Sequence, residues 1–163
     1  MDSLNIIQLT ELTYWDVCIR IGLAVFYALI IGWDRDSKNK PMDFRAYIII
    51  AISTCGIAIF TQELIHMYED SSEVISIGIG KIIAGVLTGI GFLGAGAIIH
   101  IDDNRVVGTA TGASIWASAG IGLIVGFGFL ALSAFMFAAM ALTLIVGGKC
   151  LKTFQGRSDH EDY

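Results

Sequence analysis

The feature that most constrains this chain is a set of five long apolar segments. A helix needs about 20 mostly apolar residues to cross the hydrocarbon core of a bilayer, within a range of roughly 17 to 25. Each segment is continuously apolar, whereas the strands of a membrane β-barrel alternate between apolar and polar residues. The sequence therefore predicts an all-α integral membrane protein, a polytopic bundle of about five transmembrane helices. The predicted spans are residues 17–33, 46–62, 82–99, 108–126 and 129–148.

Composition agrees with this fold and excludes several classes of function. Apolar residues make up 55% of the 163 residues and charged residues 15%, against about 25% charged residues in a typical soluble domain. The net charge of -5 and the lack of a Lys/Arg-rich face argue against binding to nucleic acid. Residues 1–148 are interpreted as one membrane domain and residues 149–163 as a polar cytoplasmic tail. No signal peptide is expected, because the first sixteen residues contain no Lys or Arg.

The distribution of basic residues predicts the orientation of the helices. The first loop, the third loop and the tail contain eight of the ten Lys and Arg residues. The loop at 63–80 contains four acidic residues and no basic residue. Because cytoplasmic loops carry the excess of Lys and Arg, the amino terminus is predicted outside and the carboxyl terminus inside.

The third segment contains an unusual run of glycines, Thr88-Gly-Ile-Gly-Phe-Leu-Gly-Ala-Gly-Ala97. Its G-x-G-x-x-G spacing does not indicate a dinucleotide site, because the run lies inside an apolar span and not in a βαβ unit. The glycines are interpreted as a helix-packing face, with a locally unwound, pore-lining segment as the alternative. On a helix, Lys81 lies on one stripe with Gly85, Gly89, Phe92 and Gly96, at spacings of three and four residues. The candidate packing or pore-lining residues here are Gly85, Gly89, Gly91, Phe92, Gly94 and Gly96.

The fourth segment is rich in small and hydroxyl residues. Thr109, Thr111, Ser114 and Ser118 are candidate hydrogen-bond donors to a neighbouring helix, and the third and fourth helices are expected to pack through Gly85, Gly89, Gly96 and this face. Trp116 lies near the middle of the span and is expected to be a packed core residue, with a functional role as the alternative.

Four charged residues form the candidate functional cluster: Asp34, Arg35, Arg45 and Lys81. Asp34 and Arg35 are consecutive on a helix, so Asp34 is expected to pair with Arg45 across the first loop and to leave Arg35 for an anionic partner or lipid headgroup. The alternative is that this cluster simply faces water and anionic lipid. Lys81 is expected to reach the headgroups, and Arg20 to pair with Asp16 one turn away.

No enzymatic chemistry is visible in the sequence. The three histidines have no second ligand at i+3 or i+4, so a zinc site is not expected. No catalytic residue and no cofactor is predicted, and whether any metal binds is left open.

Several of these motifs together resemble the membrane domain of the MgtC/SapB family. They are Gly32-Trp-Asp-Arg35, Phe44-Arg45, the glycine run from Thr88 to Ile98, and Gly108 through Trp116 with Gly120-x-Gly122. The chain departs from the family pattern at Asp34, where glutamate is usual, at Lys81, where arginine is common, and in the Gly108-Thr-Ala-Thr-Gly-Ala region. It resembles the short, SapB-like branch, because the soluble carboxyl-terminal domain of the virulence-associated members is not expected here.

The resemblance implies a bacterial inner-membrane protein linked to growth in low magnesium. The leading hypothesis is a non-enzymatic protein that binds membrane partners under ion or acid stress: the lipid bilayer, further copies in a homo-oligomer, or another membrane protein. The alternative is a small transporter or channel for a cation such as magnesium. A magnesium path favours carboxylates, and no acidic residue lies in mid-span.

Overall fold

The computed structural model describes residues 12–38, 42–67, 78–102 and 105–158, and in this part it contains five long helices. All five are long and apolar enough to cross a membrane. The predicted all-helical fold with five helices able to span a membrane is therefore confirmed, while the direction of the termini stays a prediction. The helices are α1 (Tyr14–Asp36), α2 (Phe44–Met67), α3 (Ile79–Gly96), α4 (Thr109–Gly126) and α5 (Leu130–Ser158).

The core of the bundle consists of α1, α2 and α4, with α4 the most buried of the described helices. Small residues allow α4 to approach α2 closely, as in many membrane helix pairs. A Cβ atom added to Gly126 would lie 2.5 Å from the carbonyl oxygen of Cys55 and 2.6 Å from the Cβ of Ala58. Helices α3 and α5 lie at the periphery, since only 6% of the best apolar window of each is buried.

The link between α3 and α4 is a short antiparallel hairpin. Strand β1 (Ile99–Asp102) pairs with β2 (Arg105–Val107). The predicted third span of 82–99 is therefore too long by three residues, because α3 ends at Gly96. Gly108 follows the hairpin with a φ of 90°, where an added Cβ would collide with the carbonyl oxygen of Ala97. The chain thus brings the end of α3 against the start of α4.

The turn between α4 and α5 is tight. Gly128 has a φ of 84°, and the Phe129 N–H donates to the carbonyl oxygen of Ile124 at 3.0 Å. This left-handed glycine ends α4 in a way that is common at helix carboxyl termini. Helix α5 then runs to Ser158, so residues 149–158 of the predicted polar tail continue this helix; residues 159–163 lie outside the described part.

The bundle has two ends that carry different polar groups. We call the end where α1 finishes and α2 and α4 begin the Asp34 end. We call the opposite end, where α1 begins and α2 and α4 finish, the Arg20 end.

Candidate functional site

The charged cluster at the Asp34 end differs from the predicted one. The Asp34 carboxylate accepts a hydrogen bond from Arg35 Nη2 at 2.9 Å and another from Lys38 Nζ at 2.6 Å. Lys38 lies one helical turn after Asp34, and the long Arg35 side chain can reach its neighbour. The predicted pairing of Asp34 with Arg45 is therefore wrong, since two nearer cations already occupy this carboxylate.

Arg45 pairs instead with Asp43, just before α2. One Asp43 oxygen accepts the Arg45 backbone N–H at 2.8 Å, and the other accepts Arg45 Nε at 2.8 Å and also bonds to Nη2. Asp43 is exposed, and the Arg45 guanidinium holds the pKa of its carboxyl below the ordinary value. The α1–α2 hairpin is joined by close packing, because an added Cβ on Gly32 would lie 3.0 Å from the backbone of Phe44.

Beneath the charged cluster, three polar side chains are buried between α1, α2 and α4. Arg35 is 5% exposed, Tyr47 0% and Thr111 1%. Arg35 was expected to be left for an anionic partner or lipid headgroup; its side chain is instead buried and donates to Asp34, and binding to a partner stays a prediction. Arg35 Nε has no hydrogen-bond partner among the described residues, and the Tyr47 and Thr111 hydroxyls lie next to each other.

Arg20 has a structural role that the sequence did not reveal. Arg20 Nη1 donates to Gln62 Oε1 at 2.7 Å and to the carbonyl oxygen of Gly126 at 2.6 Å. Arg20 therefore connects α1 to α2 and to the carboxyl terminus of α4, where a cation is favoured by the helix dipole. The predicted pair with Asp16 is wrong; Asp16 accepts a hydrogen bond from the Thr13 N–H at 3.2 Å.

The glycine stripe of α3 faces away from its own chain. Added Cβ atoms on Gly85, Gly89 and Gly96 would meet nothing within 4 Å, whereas one on Gly94 would lie 3.0 Å from the Gly112 carbonyl oxygen. A Cβ atom on Gly91 would also meet nothing within 4 Å, but Gly91 lies on another side of α3 and is half-buried. The expected contact of α3 with α4 through Gly85, Gly89 and Gly96 is therefore wrong within one chain, because the backbones meet at Gly94 and Gly112. Whether the other glycines pack against another molecule or line a pore stays a prediction. Lys81 and Phe92 are exposed on the same stripe.

The candidate residues of α4 divide between its two faces. Ser114 and Ser118 are buried, and each hydroxyl donates to the carbonyl oxygen four residues earlier, so neither reaches across to another helix. Thr109 is exposed, and Trp116 is 47% exposed, so Trp116 is not the packed core residue expected.

Sequence reasoning did not single out Tyr47, Gln62 or Gly112. The sequence gives a weak signal for two of them, because Tyr47 and Gln62 stand at the two ends of a mostly apolar span. Among the described residues, no group of three or more His, Cys, Asp or Glu could hold a metal ion.

Known proteins similar to this chain support one family. The model described as the MgtC family matches residues 21–153. An uncharacterized protein of Haemophilus influenzae is 41% identical over 66% of this chain and 45% of its own length. Protein SapB of Bacillus subtilis is 32% identical over 70% of this chain and 49% of its own. The putative magnesium transporter YhiD of Escherichia coli K12 is 32% identical over 78% of this chain and 57% of its own.

The chain spans about half the length of these curated relatives. The matched region contains most of α1 and all of α2, α3 and α4, and therefore the buried residues Arg35, Tyr47 and Thr111. No solved structure matches the chain.

Proposed function

The chain belongs to the MgtC family, and we propose that it is a non-enzymatic protein of the bacterial inner membrane that binds membrane partners during adaptation to low magnesium or acid stress. The family match and the five helices able to span a membrane support its place among multi-pass membrane proteins. The relative named a putative magnesium transporter supports the link to magnesium. The proposed partners are a further copy of this chain, another membrane protein and the surrounding lipid.

The observation that carries this proposal is the exposed glycine stripe of α3. Three glycines of this stripe, Gly85, Gly89 and Gly96, have open space where a Cβ atom would lie, and Phe92 beside them is 79% exposed. Glycine on a lipid-facing surface contributes no side-chain packing, whereas at a helix–helix contact it lets two backbones approach closely. The stripe therefore suits the helix of a partner better than it suits lipid.

A second feature of the surface fits a lipid as partner. An apolar cavity of about 360 Å³ lies between α1 and α5 and has Asp34 and Ser37 at one edge. Its volume and lining suit part of an acyl chain, with the polar edge near the headgroups.

The test is a leucine substitution on the stripe with a matched control. A Cβ atom at Gly89 would meet nothing within 4 Å in its own chain, so the Gly89→Leu protein should fold. It should fail to assemble and to support growth in low magnesium, because the branched side chain blocks close approach of a partner helix. Gly22→Leu is the control, since Gly22 is an exposed helical glycine with equally open surroundings. Folding is measured by thermal unfolding in detergent and assembly by cross-linking in membranes. Normal assembly and growth of Gly89→Leu would contradict the proposal.

The orientation belongs to the same proposal and has its own test. The amino terminus is proposed outside and the Asp34 end in the cytoplasm, on the basis of the basic loops. In a Cys18→Ser, Cys150→Ser background, an impermeant reagent applied from outside should label a cysteine at Asp70 and spare one at Lys40; both positions lie outside the described residues. The reverse labelling pattern would overturn this orientation.

The same protein can be tested for transport. If the protein acts by binding partners, liposomes that contain the purified protein should release or take up magnesium no faster than empty liposomes. A magnesium flux that saturates with concentration would replace the proposal with the transporter function.

A further inference from the structure

We propose that the apolar cavity between α1 and α5 binds one phospholipid with an ethanolamine headgroup, phosphatidylethanolamine. An acyl chain fills the apolar part of the cavity, and the headgroup lies at Asp34, Ser37 and Lys38. This inference deepens the proposed function and rests on it only in taking lipid as a partner. Because it involves neither assembly through α3 nor growth, the two can fail separately.

The cavity runs along α1 and changes from apolar to polar in the order of a phospholipid. Leu29, Trp33 and Ser37 line it at intervals of four residues, and Ala141 and Leu144 line it from α5. From Leu29 to Ser37 the helix rises by about 12 Å, which is less than half of the roughly 30 Å hydrocarbon core of a bilayer. The cavity is therefore contained in one leaflet, with its polar edge at the end of α1.

Lys38 supplies a donor for the lipid phosphate. Its Nζ lies 2.6 Å from Asp34 Oδ1 and 3.5 Å from the carbonyl oxygen of Leu144, and both of these residues line the cavity. An ammonium group has three N–H donors, and a contact of 3.5 Å is at most a weak hydrogen bond. The partly exposed Lys38 can therefore also donate to a phosphate oxygen at this edge.

Asp34 and Ser37 supply acceptors for the ethanolamine ammonium. Each Asp34 carboxylate oxygen accepts one hydrogen bond, whereas the two oxygens together have about four lone-pair sites. The Ser37 hydroxyl donates to the carbonyl oxygen of Asp34 at 3.1 Å, so its own oxygen is left to accept. An ethanolamine nitrogen carries N–H donors and a choline nitrogen carries only methyl groups, so the site favours ethanolamine over choline.

The charges at the end of α1 favour a headgroup without net charge. In this segment the acidic residues Asp34 and Asp36 balance the basic residues Arg35 and Lys38. The basic residues of α5 begin at Lys149, about 6 Å along the helix beyond the last of its residues that line the cavity. An anionic lipid such as phosphatidylglycerol would place its charge beside the Asp34 carboxylate, which repels it.

The test uses the fluorescence of Trp33 in the full chain. In a Trp15→Phe, Trp116→Phe background, Trp33 is the remaining tryptophan, and it lines the cavity. The protein is reconstituted in phosphatidylcholine vesicles that contain phosphatidylethanolamine, phosphatidylglycerol or phosphatidylcholine with brominated acyl chains, which quench tryptophan on contact. Phosphatidylethanolamine should quench Trp33 at a fraction about threefold lower than the other two, as expected for one partly exposed charged hydrogen bond.

Two charge variants should change the preference in opposite directions. Asp34→Asn removes the carboxylate and should increase quenching by phosphatidylglycerol, whereas Lys38→Met removes the ammonium and should decrease it. Both variants break the same Asp34–Lys38 ion pair, so a structural effect alone would move both in one direction.

A pair of alanine variants tests the cavity itself. Ala141→Phe fills the cavity and should abolish the preference for phosphatidylethanolamine. Ala139→Phe is the matched control, because Ala139 is exposed on the same helix and does not line the cavity.

Each result decides the question. A preference for phosphatidylethanolamine that is lost in Ala141→Phe and kept in Ala139→Phe supports the site. Equal quenching by the three lipids overturns it and indicates ordinary boundary lipid. Stronger quenching by phosphatidylglycerol in the parent protein, or an unchanged preference in Ala141→Phe, also overturns it. If one variant fails to fold, the parent protein and the remaining variants still decide. Normal assembly of Gly89→Leu with the lipid preference intact would overturn the partner role of α3 alone.

Discussion

Replacement of Arg20 by methionine should destabilise the bundle by about 1–4 kcal/mol. The change removes the hydrogen bonds from Arg20 Nη1 to Gln62 Oε1 at 2.7 Å and to the Gly126 carbonyl oxygen at 2.6 Å. At the average of about 0.6 kcal/mol per bond in membranes the loss is about 1 kcal/mol, and at about 1.5 kcal/mol per bond to a charged donor it is about 3 kcal/mol. Loss of a cation at the carboxyl terminus of α4 adds roughly 0.3–1 kcal/mol.

The assay for this prediction is reversible unfolding in mixed detergent micelles, with Lys81→Met as the matched control. Lys81 is exposed at the same end of the bundle and makes no ion pair with a described residue, so its replacement removes the same charge but none of these bonds. A double-mutant cycle with Gln62→Leu isolates the Arg20–Gln62 bond. If Arg20→Met is no less stable than Lys81→Met, the structural role of Arg20 is refuted.

Three further predictions follow from individual contacts. Gly126→Ala should destabilise the folded protein by about 1–3 kcal/mol, because the added methyl group overpacks against Cys55 and Ala58. Gly120→Ala on the same helix is the control and should unfold like the wild type, since its Cβ would meet nothing within 4 Å. Equal stability of the two variants would contradict the α2–α4 packing. Asp34→Asn and Arg45→Gln should have additive effects on stability, because the two side chains belong to different ion pairs, and a coupling energy above about 0.5 kcal/mol would restore the Asp34–Arg45 pair. NMR titration should find the pKa of Asp43 below 3.8 and nearer that value in Arg45→Gln, and an unchanged pKa in the variant would refute the pair. Because the pKa of Asp43 is lowered in the folded protein, its ion pair stabilises the fold above the ordinary pKa, and this contribution is lost as pH falls through the lowered pKa.

The helices were predictable because their main determinant is local. An apolar run long enough to cross a bilayer is favoured as a helix whatever surrounds it, since every backbone polar group must be satisfied within the membrane. All five predicted segments are found as helices, and the family resemblance carried by Gly32–Arg35 and by the glycine run is confirmed. The errors at the helix ends are a few residues, and the hairpin at Ile99 was missed because it is too short to show an alternating pattern.

The sequence by itself therefore determined the class of protein, the number of helices able to span a membrane and the fact that Gly85, Gly89 and Gly96 share one face of α3. Only the tertiary structure decided what each polar or small side chain meets. By distance along the chain, Asp34 could pair with any of several cations. Arg20 reaches Gln62 and Gly126 because the start of α1 lies beside the ends of α2 and α4. The face of α3 that points outward is likewise set by the single crossing at Gly94 and Gly112. Periodicity shows which residues share a face of a helix, but the direction of that face depends on how the neighbouring helices pack.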